Sequence, residues 1–133
     1  MNFCIPKPNK SNFKLSKKFE GGCFNDMAPY AAAMKRIFLG NKYSYSKLIM
    51  KNIKNLNESF SLIVCNKKTE FYGIFSHNSE YKNEINFLSK FYSIDLNRFS
   101  APPSNLALTI SYKKRNKIKD ILVNKDDIFE NFL

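Results

Sequence analysis

The chain has 133 residues, of which 44% are hydrophobic and 15% aromatic, so it is long and apolar enough to fold as one domain and is not disordered throughout. Its formal net charge is +11, and residues 1–54 hold eleven of the 22 Lys and Arg residues but only Glu20 and Asp26 as acids. Because a charge of this size opposes folding, it indicates a negatively charged partner, which would be a nucleic acid, an anionic membrane or an acidic protein surface.

The cysteines and the N-terminus indicate the compartment. Cys4, Cys23 and Cys65 are an odd number without a pairing rhythm, and the first residues contain no apolar signal segment. No apolar run approaches the roughly 18 residues that a membrane span needs. We therefore expect a reduced, cytoplasmic protein without a transmembrane segment.

Residues 1–28 are predicted to form a basic, partly flexible arm, followed by a single α+β domain over residues 29–133. Pro6 and Pro8 favour extended backbone, and Gly21-Gly22 interrupts any continuing element. Lysines give the arm its charge, and apolar residues between them would let it dock on a surface. The alternative is a solvated tail.

The sequence pattern of the next segment is ambiguous, whereas that of the one after it predicts a helix. Residues 30–39 contain three alanines at 31–33 that favour a helix and end with an apolar triplet before Gly40 that favours a strand. Residues 44–57 are predicted to be a helix with an apolar face (Leu48, Ile49, Ile53, Leu56) opposite a lysine stripe (Lys47, Lys51, Lys54). That stripe is either an ordinary solvated helix face or a surface aimed at an anionic partner.

Further elements follow in chain order. Residues 59–65 and 70–76 are predicted to form a β-hairpin whose turn carries Lys67 and Lys68, and residues 78–92 a second helix. The remaining predictions are an extended piece, two strands around a basic turn, and an acidic terminal helix, at residues 98–100, 106–112, 118–123 and from Asn124 onward. The predicted fold is α+β, a small, mostly antiparallel, barrel-like β-sheet with two flanking helices and the basic N-terminal arm.

Residue types that carry catalysis are scarce. A Cys65–His77 dyad would need an aligned base and an orienting third group, so His77 is interpreted as a polar residue leaving a strand. A zinc site would need the scattered Cys4, Cys23, Cys65 and His77, whereas structural zinc ligands usually come in close pairs. With four glycines there is no Gly-rich phosphate loop. We expect no enzyme activity, no catalytic residue, no metal and no cofactor.

The order of elements resembles the CKK domain, the C-terminal microtubule-binding domain of the calmodulin-regulated spectrin-associated proteins, or patronins. The similarity covers about residues 34–112. It rests on an apolar strand with its turn, a Lys-rich helix, two strands, a Lys-Phe-Tyr segment and a closing strand, here residues 37–41, 44–56, 60–64, 70–75, 90–99 and 106–112. The Gly-Pro segment that precedes the last helix of the family is missing.

The resemblance implies a module that binds microtubules, with a preference for the minus-end region, and only Lys90 and Arg98 carry over by motif. The alternative is a nucleic-acid-binding or ribosome-associated protein that contacts phosphates through lysine-rich turns, and a weaker third possibility is an anionic-membrane binder. The predicted partner-binding residues are Lys14, Lys17, Lys18, Lys47, Lys51, Lys54, Lys67, Lys68, Lys90, Arg98, Lys113, Lys114, Arg115 and Lys117.

Overall fold

The computed structural model describes residues 1–100 and 102–125, and the chain divides into two compact units, Met1–Lys82 and Asn83–Leu133. The first unit contains a helix that crosses the boundary predicted between arm and domain at residue 28. The residues of the predicted acidic terminal helix lie almost entirely outside the described part of the chain.

The first unit is a four-stranded sheet with one α-helix. Its elements are β1 (Asn2–Cys4), two 3₁₀ turns (Phe13–Leu15 and Lys17–Phe19), α1 (Cys23–Leu39), β2 (Tyr45–Ile53), β3 (Leu56–Cys65) and β4 (Glu70–Ser76). The strand order is β2-β3-β4-β1. The first three strands pair antiparallel, and β1 pairs parallel with β4. Residues expected in a flexible arm therefore form a strand and the start of a helix.

Helix α1 resolves the ambiguity of residues 30–39 in favour of the helix. Gly22, with φ of 116°, precedes its first residue, and Gly40, with φ of 70°, ends it by donating its N–H to the Arg36 carbonyl. Positive φ values of this kind suit glycine, which has no Cβ to clash. The alanines supply helix propensity, and the apolar triplet at residues 37–39 forms the last turn.

The core of the first unit lies between α1 and the sheet. Cys23, Met27 and Ala31 recur along one face of the helix and are buried against Phe60 and Phe75. The two phenylalanine rings are stacked, with centroids 4.4 Å apart. Side chains of β3 and β4 at every second position face the helix, and the alternate positions face away from it.

The predicted hairpin over residues 59–76 is confirmed. Strand β3 pairs with β4 from Ser59 opposite Ser76 to Cys65 opposite Glu70. The Asn66 side-chain oxygen accepts hydrogen bonds from the backbone N–H groups of Lys68 and Thr69, each at 2.8 Å, which closes the turn.

The predicted helix over residues 44–57 is wrong, because most of this segment is the exposed strand β2. Lys54 and Asn55 have φ of 49° and 64°, and Ile53 pairs with Leu56 across them. Two consecutive residues with positive φ close a tight hairpin whose twist matches its strands, and asparagine tolerates this conformation. The four-residue spacing of Ile49 and Ile53 also satisfies the period of a strand, in which alternate residues share a face.

The second unit is an antiparallel meander in the order β5-β6-β7-β8. Its strands are β5 (Lys82–Leu88), β6 (Tyr92–Asn97), β7 (Leu108–Lys114) and β8 (Lys117–Val123). The two strands predicted around the basic turn are confirmed with shifted ends. Residues 98–100 lie outside the strands, and the helix predicted over residues 78–92 is wrong.

Each face of this second sheet has a distinct chemistry. Ile85, Leu96, Ile110 and Ile121 lie side by side across the four strands. The neighbouring row on the opposite face is polar, with hydrogen bonds of 2.7 Å from Asn86 Nδ2 to Asp95 Oδ1 and from Ser111 Oγ to Asp120 Oδ1. The strand period of two, which the sequence analysis interpreted as a helix in residues 78–92, produces this separation.

The observed fold is therefore mostly sheet with one α-helix among the described residues. The predicted predominance of antiparallel pairing is confirmed. The predicted barrel is wrong, since the strands of each unit follow one another in a linear, open order. The two predicted flanking helices are also wrong, because their segments contain the strands β2 and β5. The described residues include no helix with the length and hydropathy that crossing a membrane requires.

Candidate functional site

Three ionisable side chains meet at the beginning of α1. Asp26 lies in the first turn of the helix, and its Oδ2 atom is 2.7 Å from Lys14 Nζ and 2.9 Å from His77 Nε2. Lys14 belongs to the first 3₁₀ turn, and His77 directly follows β4. We call Lys14, Asp26 and His77 the Lys–Asp–His cluster; it joins three separate segments of the first unit.

The members of the cluster differ in exposure. The His77 side chain is 2% exposed, whereas the Lys14 and Asp26 side chains are each 27% exposed. The His77 backbone N–H donates to the Glu58 carbonyl at 2.9 Å, which fixes the residue where β4 ends. Its Nδ1 atom is buried and has no hydrogen-bond partner among the described residues. The cluster thus connects a buried imidazole to solvent through a carboxylate and an ammonium group.

A cavity of about 330 Å³ lies beside the cluster. Lys14 and Asp26 line it together with Glu20, Asn25 and the two aromatic rings of Phe13 and Phe19. Its walls combine charged groups of both signs with aromatic surface. A polar ligand that carries a ring or a sugar would find both kinds of contact in such a cavity.

Gly21 and Gly22 allow the first 3₁₀ segment, which carries Lys14, to lie close to the start of α1. A Cβ atom on Gly21 would lie 2.6 Å from the Lys14 carbonyl oxygen, and one on Gly22 would lie 3.3 Å from the Asn57 backbone nitrogen. The Gly22 N–H donates to the Lys14 carbonyl at 2.8 Å. These glycines let the 3₁₀ segment pack directly on the start of α1, and this packing holds Lys14 beside Asp26.

The structure disperses the lysines predicted in the first unit. Lys54 lies in the turn before β3, whereas Lys67 and Lys68 lie in the turn after it, so the ten-residue strand separates them by about 30 Å. Lys17 and Lys18 belong to the second 3₁₀ turn, and Lys47 and Lys51 share the sheet face turned away from α1. The predicted lysine stripe on a helix does not exist, because the helix is a strand.

Most of the predicted basic residues of the second unit lie together. Tyr92 pairs with Lys114, so the turn that carries Lys90 and the turn of β7 and β8 lie at the same end of the sheet. That end gathers Lys90, Lys113, Lys114, Arg115 and Lys117. Arg98 follows the last residue of β6 and lies at the opposite end.

The cysteines do not form the sites that the sequence analysis set aside. Cys65 lies at the turn end of the β3–β4 hairpin and His77 at its other end, about 20 Å away along the strands, so the Cys65–His77 dyad is excluded. Burial, aided by the nearby Asp26, raises the pKa of the Cys23 thiol to about 12, which keeps it protonated. The described residues include no cluster of three metal-ligating side chains.

The ion pair between exposed Lys51 and half-buried Glu58 yields a pH-dependent prediction. Glu58 accepts hydrogen bonds from Lys51 Nζ and Asn78 Nδ2, each at 2.9 Å, and the bond from Lys51 is the main cause that lowers the pKa of Glu58. A lowered pKa stabilises the fold above the unfolded-state pKa, near 4.3, and this contribution is lost as the pH falls through the folded-state pKa. We expect Glu58→Gln to cost about 0.5 kcal/mol at pH 7 and nothing at pH 3, as measured by urea unfolding.

Glu80→Gln is the matched control, since Glu80 is exposed in the segment after β4 and its replacement removes the same charge. It should leave the stability unchanged at both pH values. An equal loss for Glu58→Gln at pH 7 and pH 3 would contradict the assignment of the effect to the charge of Glu58.

The sequence analysis missed the role of Asp26 and gave His77 a purely structural one. Asp26 was counted only as one of two acids in a basic region, although it stands four residues after Gly22, where the first turn of a helix favours a carboxylate. His77 is the single histidine of the chain. The pairing of these two residues depends on β1, α1 and β4 coming together, which no local pattern indicates.

No protein-family model and no curated protein matches the chain. Solved structures do match. The chain is similar to KijD10, a 3-ketoreductase from Actinomadura kijaniata in complex with NADP and TDP-benzene, with a TM-score of 0.86 and 14% identity over 94% of this chain. A tyrosine-to-phenylalanine variant of that enzyme gives a TM-score of 0.89 at 14% identity over 98% of this chain, and a complex with NADP alone gives 0.77 at 16% identity over 98%.

The chain spans about two fifths of the length of these structures, 39%, 41% and 39% of them respectively. At such identities the similarity defines the fold of this chain. That fold is the one found in part of a dinucleotide-dependent ketoreductase.

This similarity corrects the functional predictions from sequence. The prediction of a non-enzymatic microtubule-binding module is wrong, and so are tubulin and nucleic acid as predicted partners, because the chain has the fold of about two fifths of a 3-ketoreductase, an enzyme in complex with NADP and TDP-benzene. The physical reason lies in the Lys-rich helix on which the CKK resemblance drew. Most of it is the strand β2, with Lys47 and Lys51 on the sheet face turned away from α1 and Lys54 in the turn that follows.

Proposed function

We propose that this chain is the sheet-bearing, substrate-side part of an NADP-dependent reductase that acts on a keto group of a nucleotide-linked sugar. The observation that carries the proposal is the similarity to the 3-ketoreductase over 94–98% of the chain. The Lys–Asp–His cluster and its adjoining cavity are the candidate substrate contacts in the first unit.

The residues of this chain do not fit a dinucleotide. A pyrophosphate usually binds at a helix N-terminus where glycines leave open space for it. Here Gly21 and Gly22 precede α1, but protein backbone fills the space beside both, from Lys14 and from Asn57. We infer that another polypeptide segment, in the same protein or in a partner, holds the nicotinamide cofactor.

The charge of the chain suits the proposed substrate class. A nucleoside diphosphate carries several negative charges, and residues 1–54 are rich in lysine. Lys14 reaches the cavity beside α1, which Glu20 and Asp26 also line, and the second 3₁₀ turn adds Lys17 and Lys18 close in sequence. Clustered ammonium groups raise the local concentration of such an anion and speed its association.

The Lys–Asp–His cluster can also deliver a proton. Reduction of a ketone requires a proton at the carbonyl oxygen, and a positioned side chain supplies it. The Lys14 ammonium is partly exposed in the cavity, and the Asp26 carboxylate holds it in place at 2.7 Å. His77 holds the same carboxylate from the buried side. We assign Lys14 as the proton donor and Asp26 and His77 as the residues that position it.

Calorimetric titration of the chain with TDP tests the substrate assignment. We expect TDP to bind and Lys14→Met to weaken it about tenfold, because a charge-assisted hydrogen bond contributes about 1.5 kcal/mol. NADP⁺ should bind no more tightly than inorganic pyrophosphate, since no dinucleotide loop is present.

Lys10→Met is the matched control, because Lys10 is exposed and its replacement removes the same charge. It should change the TDP affinity less than twofold. Equal losses of TDP affinity for the two variants would mean that binding depends only on net charge. That result would contradict the assignment of the cavity as the TDP site. Tight binding of NADP⁺ would overturn the inference that the cofactor is held elsewhere.

A further inference from the structure

A second cavity of the first unit is independent of the Lys–Asp–His cluster. It is a cleft of about 330 Å³ between α1 and the outer strand β2, with part of β3 as its floor. Phe60, Leu62 and Val64 of β3 form the floor, and Leu48 of β2 forms one wall. We call it the α1–β2 cleft.

Small side chains create the α1–β2 cleft. Ala28, Ala31 and Ala32 line it on the helix side, where residues with longer side chains would close the gap to Leu48. Helix α1 packs over β3 and β4, so β2 extends beyond the region that it covers. The result is a preformed apolar groove of a size at the lower end of the range typical of small-molecule sites.

One charge lies in this apolar groove. Lys35 is the charged residue among the described residues that line the cleft, and its side chain is half-buried. Its Nζ atom lies 4.6 Å from the centroid of the Tyr43 ring. It makes no ion pair with a carboxylate in the described part of the chain within 4.0 Å, the limit for a salt bridge. A partly desolvated ammonium group without a carboxylate partner attracts an anion.

We propose that the α1–β2 cleft binds a small amphipathic carboxylate, with its apolar tail between α1 and β2 and its carboxylate at Lys35. The volume of the cleft corresponds to that of about ten water molecules, at roughly 30 Å³ each. Apolar surface selects the tail, and the single ammonium group selects an anionic head over a neutral one. This proposal does not depend on the reductase assignment, because no residue of the Lys–Asp–His cluster lines the cleft.

Methyl NMR of the chain with octanoate and 1-octanol tests the proposal. We expect octanoate to shift the methyl resonances of Ala28, Ala32, Leu48 and Val64, and to bind about tenfold more tightly than 1-octanol because of the charge-assisted contact. Lys35→Met should lower the octanoate affinity to that of 1-octanol and leave 1-octanol binding unchanged. Ala32→Leu, at an exposed position of the helix, should fill the cleft and weaken both ligands.

Lys42→Met is the matched control, since Lys42 is exposed in the loop between α1 and β2 and does not line the cleft. It should leave octanoate binding intact, and the methyl spectrum reports whether each variant is folded. Equal affinity of octanoate and 1-octanol, or unchanged octanoate binding in Lys35→Met, would overturn the proposal. Concentration-dependent shifts of the same methyl groups without ligand would show a second copy of the chain as the occupant instead, which also contradicts it.

Discussion

Replacement of Phe75 by alanine should lower the free energy of unfolding by about 4 kcal/mol, the largest effect that we expect from a single substitution in this chain. Phe75 is 0% exposed and stacks on Phe60 at a centroid distance of 4.4 Å, with Cys23 and Met27 of α1 in the same cluster. Its removal leaves a cavity between helix and sheet. Urea unfolding followed by circular dichroism at 222 nm, where α1 contributes most, measures the loss.

Tyr72→Ala is the matched control on the same strand. Tyr72 lies on the opposite face of β4 and is 55% exposed, so we expect a loss below about 1 kcal/mol. Similar losses for the two variants would contradict the placement of the core on the α1 side of the sheet.

Asp26→Ala should cost about 2 kcal/mol, because it removes the hydrogen-bond partner of the buried His77 and the counter-charge of the half-buried Lys14. Both nitrogens of the His77 ring would then lack a partner in a site that water reaches poorly. The same urea unfolding measures the change in free energy at pH 7.

A double substitution isolates the contribution of the histidine. In the Asp26→Ala background, His77→Phe should cost much less than it does in the native chain, because a phenyl ring has no polar atom to leave unpartnered. Additive losses would show that Asp26 and His77 do not depend on each other, and would remove the structural basis of the Lys–Asp–His cluster.

The structure places the basic residues differently from the single surface that the sequence indicated. The sequence analysis treated the lysines as parts of one surface for a polyanionic partner. In the first unit, however, the turns on either side of β3 place Lys54 and Lys67 at opposite ends of a long strand. Lys14, in contrast, is fixed by an ion pair beside a cavity. The basic residues of the first unit therefore do not form one contiguous surface.

Local patterns predicted the correct strands where the spacing of apolar residues and the turn residues favoured the same structure. The β3–β4 hairpin could be predicted because two β-rich runs flank a turn closed by Asn66, whose side chain accepts two backbone hydrogen bonds. The strands β7 and β8 could be predicted for a similar reason, since Arg115 and Asn116 close them with φ of 46° and 64°.

Local patterns failed where apolar residues stood at spacings that suit a helix and a strand alike. In residues 44–57, leucines and isoleucines spaced one, four and three residues apart indicated a helix, but positive φ values at Lys54 and Asn55 turn the chain back on itself as a hairpin. In residues 78–92 the same ambiguity hid β5 and the turn at Ser89, whose Oγ accepts the N–H groups of Phe91 and Tyr92. Strand pairing with distant residues decided both cases.

The sequence by itself determined the basic charge, the presence of a substantial apolar core and the hairpin whose turn is closed by local hydrogen bonds. Only the tertiary structure decided that Lys14, Asp26 and His77 meet, and that α1 leaves a cleft beside β2. The physical reason is sequence separation. His77 lies 51 residues from Asp26, and their contact forms only after β3 and β4 pair and α1 packs on them.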